Sequence, residues 1–435
     1  MRLIPIVFVL LILASCRGEE APSCPVGDAG SQADAATDPC AGFDCSGHGV
    51  CALAAGAPIC ACDRGYSPSS GGLDCEANLP LGCEGVTCAG HGTCALNAVS
   101  SPICQCDQGY QARGLECVAG SAPTLTMTEV AFLDGSDYAP VQQGTLAVLG
   151  SHLIAFTGRL AVVDVADPAH PVPVATVDVC GSGWGGRMAL VGQRAFVYCL
   201  KGPSVVQGYD LSDPAHPRAE SSLSLSSAVQ GIASADTRLF VKTQTALEVV
   251  EVRDPAAPVV VGSVAMAGLS LGIPHRVVAA GSVVVVTGLA GGNMPQWAVV
   301  DVSQPASPAL LARVGALGAT TAFAAADGFI YGGHAVPDSF LVTDLADPSH
   351  PRLVGALPME DPEGIDGVVR WRNFALVSAT GGTAIDLSSP SNPSKAGFIR
   401  HGQDVRIEGA LALGGDYLYA GFQQAGLAVI ALSTH

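Results

Sequence analysis

The stretch Val162–Pro171, "VVDVADPAHP", sets two carboxylates and an imidazole at the end of an apolar run. Such a group suits either acid–base chemistry or a turn, and its recurrence decides between them. Related stretches begin at 160 (LAVVDVADPAHPVPVATV), 206 (VQGYDLSDPAHPRAESSL), 247 (LEVVEVRDPAAPVVVGSV), 297 (WAVVDVSQPASPALLARV), 340 (FLVTDLADPSHPRLVGAL) and 382 (GTAIDLSSPSNPSKAGFI). A shorter one, LAVIALSTH, occupies 427–435. The equivalent positions Asp164, Asp210, Glu251, Asp301, Asp344, Asp386 and Ala431 are spaced by 46, 41, 50, 43, 42 and 45 residues. The place of His170, His216 and His350 is filled elsewhere by Ala257, Ser307 and Asn392. A position that accepts such different side chains is structural. Asp-Pro favours a turn, because Asp accepts from backbone N–H groups two residues on and Pro presets φ. The second proline begins an outer strand, where a missing donor is tolerated.

Periods of 40–50 residues with several strands each are the mark of β-propeller blades. In the third unit the expected strands are Gly231–Ser234, Leu239–Thr243, Leu247–Val252 and Val259–Val264, with "ADTR" and "RDPAAP" as turns. The last unit stops after a third strand, while Leu125–Leu133 ("LTMTEVAFL") is a strand without a blade. Pairing the two closes a ring of seven blades over 124–435. These units resemble the LVIVD repeat of bacterial secreted and surface proteins, a resemblance that implies a propeller but no single activity.

Apolar residues make up 49 % of the chain and charged ones only 13 %, which is unlike disorder. After the N-terminus, no apolar run reaches the roughly 20 residues of a spanning helix. The net charge of −18 comes with scattered, unclustered Lys and Arg. Binding of nucleic acid needs clustered cations, so it is not expected.

At the N-terminus, "MRLIPIVFVLLILASC" has one basic residue, an apolar core and small residues before Cys16, the shape of a secretory signal. "LASC" resembles the lipobox of bacterial lipoproteins. That resemblance implies a signal peptide over 1–15, diacylglycerol on Cys16 and a stable membrane anchor. Arg17, rather than Asp, follows the cysteine. This points to the outer membrane or cell surface rather than retention at the inner membrane. Residues 16–39 are polar, small and Pro-containing, and read as a flexible tether. Cys24 within it has no evident partner.

Fourteen of the 16 cysteines precede residue 120, which argues for an oxidising compartment. Twelve fall in two blocks, at 40–75 and 83–117: Cys40-x4-Cys45-x5-Cys51-x8-Cys60-x-Cys62-x12-Cys75 and Cys83-x4-Cys88-x5-Cys94-x9-Cys104-x-Cys106-x10-Cys117. Spacing alone leaves fifteen connectivities open in each. With "SGHG", "AGHG", "RGY" and "QGY" in place, the blocks resemble EGF-like modules. The resemblance implies the pairs Cys40–Cys51, Cys45–Cys60, Cys62–Cys75, Cys83–Cys94, Cys88–Cys104 and Cys106–Cys117. Zinc on these cysteines with His48 or His91 is disfavoured by the tight Cys-x-Cys. "ATDP" and "LPLG" depart from the calcium-binding signature of that family, so neither metal nor any cofactor is expected.

Cys180 and Cys199 should end strands on the same face of the ring, where a disulfide is expected. "GSGWGG" (181–186) matches a dinucleotide fingerprint, but two strands rather than a helix follow it. It reads as a flexible loop between blades. By analogy with other propellers, ligands bind in loops that precede the inner strands. Those loops carry Trp184, His275, Asp361, Glu363, Asp366, His401, Asp404 and Arg406, the candidate ligand-binding residues. The expected protein is therefore a non-enzymatic, lipid-anchored bacterial envelope protein: an all-β chain with two EGF-like modules as a stiff stalk, presenting a seven-bladed propeller to a protein or glycan partner. Alternatives are a metal-assisted hydrolase using the acidic central mouth, and a scaffold in envelope assembly or motility machinery.

Overall fold

The structure, a computed structural model, describes residues 40–434 except 41–43, 48, 55–56, 63–65, 70–72, 78–81, 84, 98, 135–144, 182–184, 201–203, 267–268, 270–275, 291–293, 316–319, 336–337, 360–364, 379–380, 400–406 and 423–425. Cys16, Cys24 and the tether lie outside the described residues. Among the described residues no helix is long and apolar enough to cross a membrane. The chain forms two compact units, Met1–Asn78 and Leu79–His435.

The first unit contains one small module of two hairpins, Gly49–Ala54 with Ala57–Cys62 and Tyr66–Pro68 with Cys75–Ala77. Its buried cluster consists of Cys45, Cys60 and Cys75. A module this small cannot bury enough apolar surface to fold alone, so cross-links restrict its unfolded state instead. They are Cys40–Cys51, Cys45–Cys60 and Cys62–Cys75. Gly49 is needed because a Cβ there would fall 2.6 Å from the Ala61 carbonyl oxygen and 2.7 Å from the Cys75 sulfur.

The second unit begins with a sister module. Its hairpins pair Gly92–Leu96 with Pro102–Cys106 and Tyr110–Arg113 with Glu116–Ala119. Its disulfides are Cys83–Cys94, Cys88–Cys104 and Cys106–Cys117. His91 stacks on Tyr110 with ring centroids 4.0 Å apart.

Seven four-stranded antiparallel sheets follow, six of them in sequence order from the channel outward. The inner strands are Thr145–Leu149, Gly185–Val191, Val229–Ala235, Val277–Ala280, Thr320–Ala326, Gly367–Trp371 and Ile407–Gly414. The last blade takes its outer strand from far earlier in the chain. Leu125–Asp134 pairs antiparallel with Gly426–Thr434 and seals the ring. Third strands read as unbroken apolar runs because each sheet is covered by a neighbour on both faces. Thus Leu160, Ala161, Val162 and Val163 are all fully or almost fully buried, each large side chain stabilising by about 1.5–3 kcal/mol.

The repeated turn stretch sets how one blade meets the next. In all seven sheets the third and outer strands slip by one residue. Just before the slip the outer strand always carries a small residue: Ala175, Ser221, Gly262, Ala312, Gly355, Gly397 and Ala131. Where it is glycine, the adjoining chain comes very close. A Cβ on Gly262 would sit 2.2 Å from the Pro305 carbonyl oxygen, and one on Gly355 would be 2.2 Å from that of Pro390. Those prolines, in Gln304-Pro305 and Ser389-Pro390, take the place of Asp-Pro in the turns of the following blades, so the turn of one blade rests on the outer strand of its predecessor.

The second module is fixed to the propeller at such a junction. Asn97 Nδ2 donates to the carbonyls of Val354, on the outer strand of blade five, and Ser391, in the turn of blade six, at 2.9 and 2.6 Å. Its Oδ1 accepts from the N–H groups of Val99 and Ser101. Ser389 Oγ donates to the Gly114 carbonyl. The second module, like the first in sequence and disulfides, is thus part of the propeller unit.

Candidate functional site

The turn stretch makes no active site. Asp164, Asp210, Asp301, Asp344 and Asp386 each accept, at 2.8–2.9 Å, the N–H two residues on. The next acidic residue repeats the device, Asp167 taking the Ala169 N–H and Asp347 that of Ser349. His170, His216 and His350 bond through Nδ1 to Asp167, Asp213 and Asp347 at 2.8–2.9 Å, all exposed. These bonds hold the three carboxyls below the usual aspartate range. The turn itself closes whatever the side chain: the N–H groups of Ala257, Ser307 and Asn392 bond back three residues as those of the histidines do.

The polar side chains that enter the ring do so where the inner strands begin. In blade two, Gly185 pairs with Cys199 and Met188 with Val197, leaving Gly186 and Arg187 opposite Tyr198. Such a bulge re-aims a side chain and frees ladder donors; the Met188 N–H turns instead to Thr145 Oγ1 of blade one. The last two glycines of "GSGWGG" belong to this strand rather than to a loop, which corrects the reading of that motif. A Cβ on Gly185 would strike the Thr157–Gly158 backbone, and one on Gly186 would lie 2.3 Å from the Tyr198 ring. They are packing glycines, and their close fit sets Arg187 at the channel. The Cys180–Cys199 disulfide joins the end of the preceding blade to the residue that pairs with Gly185.

Arg276 stands just ahead of the inner strand of blade four. Its N–H donates to Thr287 Oγ1, and its carbonyl accepts from the Thr287 N–H. Its Nη2 reaches across to the Asp366 carbonyl of blade six at 2.7 Å. Both arginines line a cavity of about 180 Å³ at the centre of the ring, with Thr145, Phe323, Val368 and Leu411 among its walls. Each keeps some surface open to that cavity while lying deep in the protein. Burial lowers the pKa of both guanidiniums, and the charge of Arg187 lowers that of Arg276 further. Tyr198, fully buried, is pushed up to about 12 by its desolvation; its hydroxyl donates to the Gln230 carbonyl at 2.8 Å. Lys242 Nζ donates to the Gln230 side chain and to the Thr243 carbonyl, and burial lowers its pKa to about 8.

Two like charges thus share a mouth, and the Arg187 Nε is buried with no hydrogen-bond partner. A buried guanidinium without compensation costs several kcal/mol. Chemically, the arrangement can receive negative charge.

Of the candidate ligand-binding residues, Asp366 is placed at this mouth, one residue before the inner strand of blade six. Trp184, His275, Asp361, Glu363, His401, Asp404 and Arg406 lie outside the described residues. Among the described residues, the groups of three potential metal ligands are Cys45, Cys60, Cys75 and Cys88, Cys104, Cys117. All six sulfurs are in disulfides, so none offers a thiolate. Sequence reasoning missed Arg187 and Arg276. Their signal is a basic residue at the polar-to-apolar step opening an inner strand, in "GGRMALV" and "PHRVVAA".

Comparison with known proteins agrees with this architecture. The LVIVD repeat matches residues 145–179, 296–315 and 407–434, which fall in blades one, four and seven. The chain is thus a seven-bladed β-propeller that carries LVIVD repeats and is preceded by disulfide-bonded hairpin modules. Among solved structures it is similar to a chain of one described as "Crystal Structure of Mitotic Checkpoint Complex", with a TM-score of 0.55 and 13 % identity, covering 73 % of this chain and 95 % of that one. At that identity the likeness concerns the fold alone. No curated protein matches the sequence.

Proposed function

We propose that this chain is a non-enzymatic, lipid-anchored protein of the bacterial cell envelope, at the outer membrane or cell surface, which displays its propeller to bind a protein or glycan. The observation that carries the binding reading is the lining of the central cavity. Its described walls bring two arginines, a threonine and apolar side chains together. Paired guanidinium donors beside apolar walls suit recognition of a negatively charged group. Asp366, the described member of the acidic set, gives Arg276 its backbone carbonyl, and its carboxylate charge also acts on that guanidinium.

Anchoring and export are supported by "LASC" at 13–16 and by the cysteine-rich modules, which need an oxidising compartment. Pairing of cysteines first to third, second to fourth and fifth to sixth in both modules supports an EGF-like assignment. The second module then serves as a rigid base for the ring.

The test is metabolic labelling with a fatty acid, followed by protease treatment of intact cells. The wild-type chain should incorporate label at Cys16, sediment with membranes and be cleaved from outside, while Cys16→Ser should be unlabelled and released. An unlabelled, soluble wild-type chain would overturn the anchored reading.

A further inference from the structure

We propose that the channel mouth is a binding site for a small oxyanion, a phosphate-type or carboxylate group held between Arg187 and Arg276. Four observations converge on it. Both guanidiniums line one half-open cavity, although they come from blades two and four. One of them, Arg187, has a buried Nε with no hydrogen-bond partner. The second is braced by backbone on both sides, through Thr287 and the Asp366 carbonyl, so its fork is held in place before any ligand arrives. Finally, the cavity holds about 180 Å³, several times the roughly 30 Å³ of a water molecule. That is room enough for a small oxyanion.

The chemistry follows from the donors. Guanidinium presents its N–H groups in a planar fork that matches the oxygens of carboxylate and phosphate, and charge assistance strengthens those bonds. Arg187 and Arg276 repel each other, and the single Asp366 carboxylate acting on Arg276 offsets only one of the two charges; an anion between the guanidiniums turns that repulsion into attraction. The remaining surface works the other way. With 38 acids against 20 Lys and Arg, the chain repels anions at long range. Affinity must therefore come from the local pair, and the ligand is a small anion, or an anionic tip on a larger molecule, able to enter the mouth.

Gly185, Gly186 and the Cys180–Cys199 link become parts of this site. The glycines allow the bulge that points Arg187 inward, and the disulfide ties down the strand end beside it.

The proposal rests on the binding reading above but not on the lipid anchor. Its test is isothermal titration of the full chain with inorganic phosphate and, separately, with acetate, alongside thermal melts. Saturable one-to-one binding of either anion is expected, with Arg187→Gln weakening it at least about tenfold. Without ligand, Arg187→Gln should melt no lower than wild type, because it removes an unpaired buried cation. Arg187→Lys should bind with intermediate affinity, having the charge but not the fork. Tighter binding of phosphate would identify a tetrahedral ligand, and tighter binding of acetate a carboxylate. Failure of both anions to bind, unchanged binding by Arg187→Gln, or a lower ligand-free melting temperature in that variant would each overturn the site. A chain that binds an anion yet is not acylated would keep this site and remove only the anchored-display reading.

Discussion

The two disulfide modules are near copies, yet one stands as its own compact unit and the other is built into the propeller. Their cysteine frames differ by one residue between the third and fourth cysteines, and that hairpin turn carries Asn97 where the first module has Ala54. A single amide with two donors and an acceptor satisfies four backbone groups at once. Disulfides make a module; a few well-placed hydrogen bonds decide what it belongs to.

The largest break in this comparison comes from removing equivalent cross-links. Cys88–Cys104 and Cys45–Cys60 close loops of 16 and 15 residues, so each loss should cost its own module about 3 kcal/mol. Calorimetry should show the propeller transition lowered by Cys88→Ala with Cys104→Ala, and unmoved by Cys45→Ala with Cys60→Ala. Next in size, Asn97→Ala should cost about 2 kcal/mol by leaving partly buried backbone groups unpaired. Hydrogen exchange should rise at Val99 and Ser101, while the reciprocal Ala54→Asn should leave module one's exchange unchanged.

A pH signature can mark which melting event is the propeller's. Folded Lys242 has a pKa of about 8, against 10.5 unfolded. Between those values the unfolded chain binds more protons, so stability rises with pH. Tyr198 acts oppositely above about pH 10, because it keeps its proton when folded until about 12. The expected window of rising stability is pH 8–10, worth about 1–2 kcal/mol and absent in Lys242→Met. Module two should follow this profile and module one should not. The smallest effect belongs to blade six, which supplies half of the Asn97 contact. Arg372 opens a hairpin turn at φ 49°, where glycine would be relaxed. It is retained by an exposed ion pair with Asp416 and by stacking on Trp371. Arg372→Gly should therefore change stability by less than about 0.5 kcal/mol, and a larger loss of module-two protection would show that blade six transmits strain to the junction.

The blade count and the closing strand were legible because they rest on local chemistry: Asp and Pro at a turn, apolar runs of strand length, and an unpaired strand at each end. The interchangeable residues at the histidine position likewise exposed it as turn. The arginine pair was not legible, because a bulge decides where Arg187 points and the bulge depends on Tyr198 packing over a glycine. "GSGWGG" announced glycines without saying what they approach. Asn97 left only a trace, one extra residue in a cysteine spacing. Its partners Val354 and Ser391 lie more than 250 positions away, and no spacing encodes them.

The seal between Leu125–Asp134 and Gly426–Thr434 also imposes a schedule. Six blades are built from neighbouring hairpins and can form in order as the chain is made. The seventh joins segments about three hundred residues apart, and such distant pairing is slow. Until the final strand is delivered, Leu125–Asp134 waits as a bare edge and the ring is an open arc with sticky ends. Loss of the last nine residues of the ring should thus act as a defect of timing, holding the protein in the state in which it aggregates with its own copies.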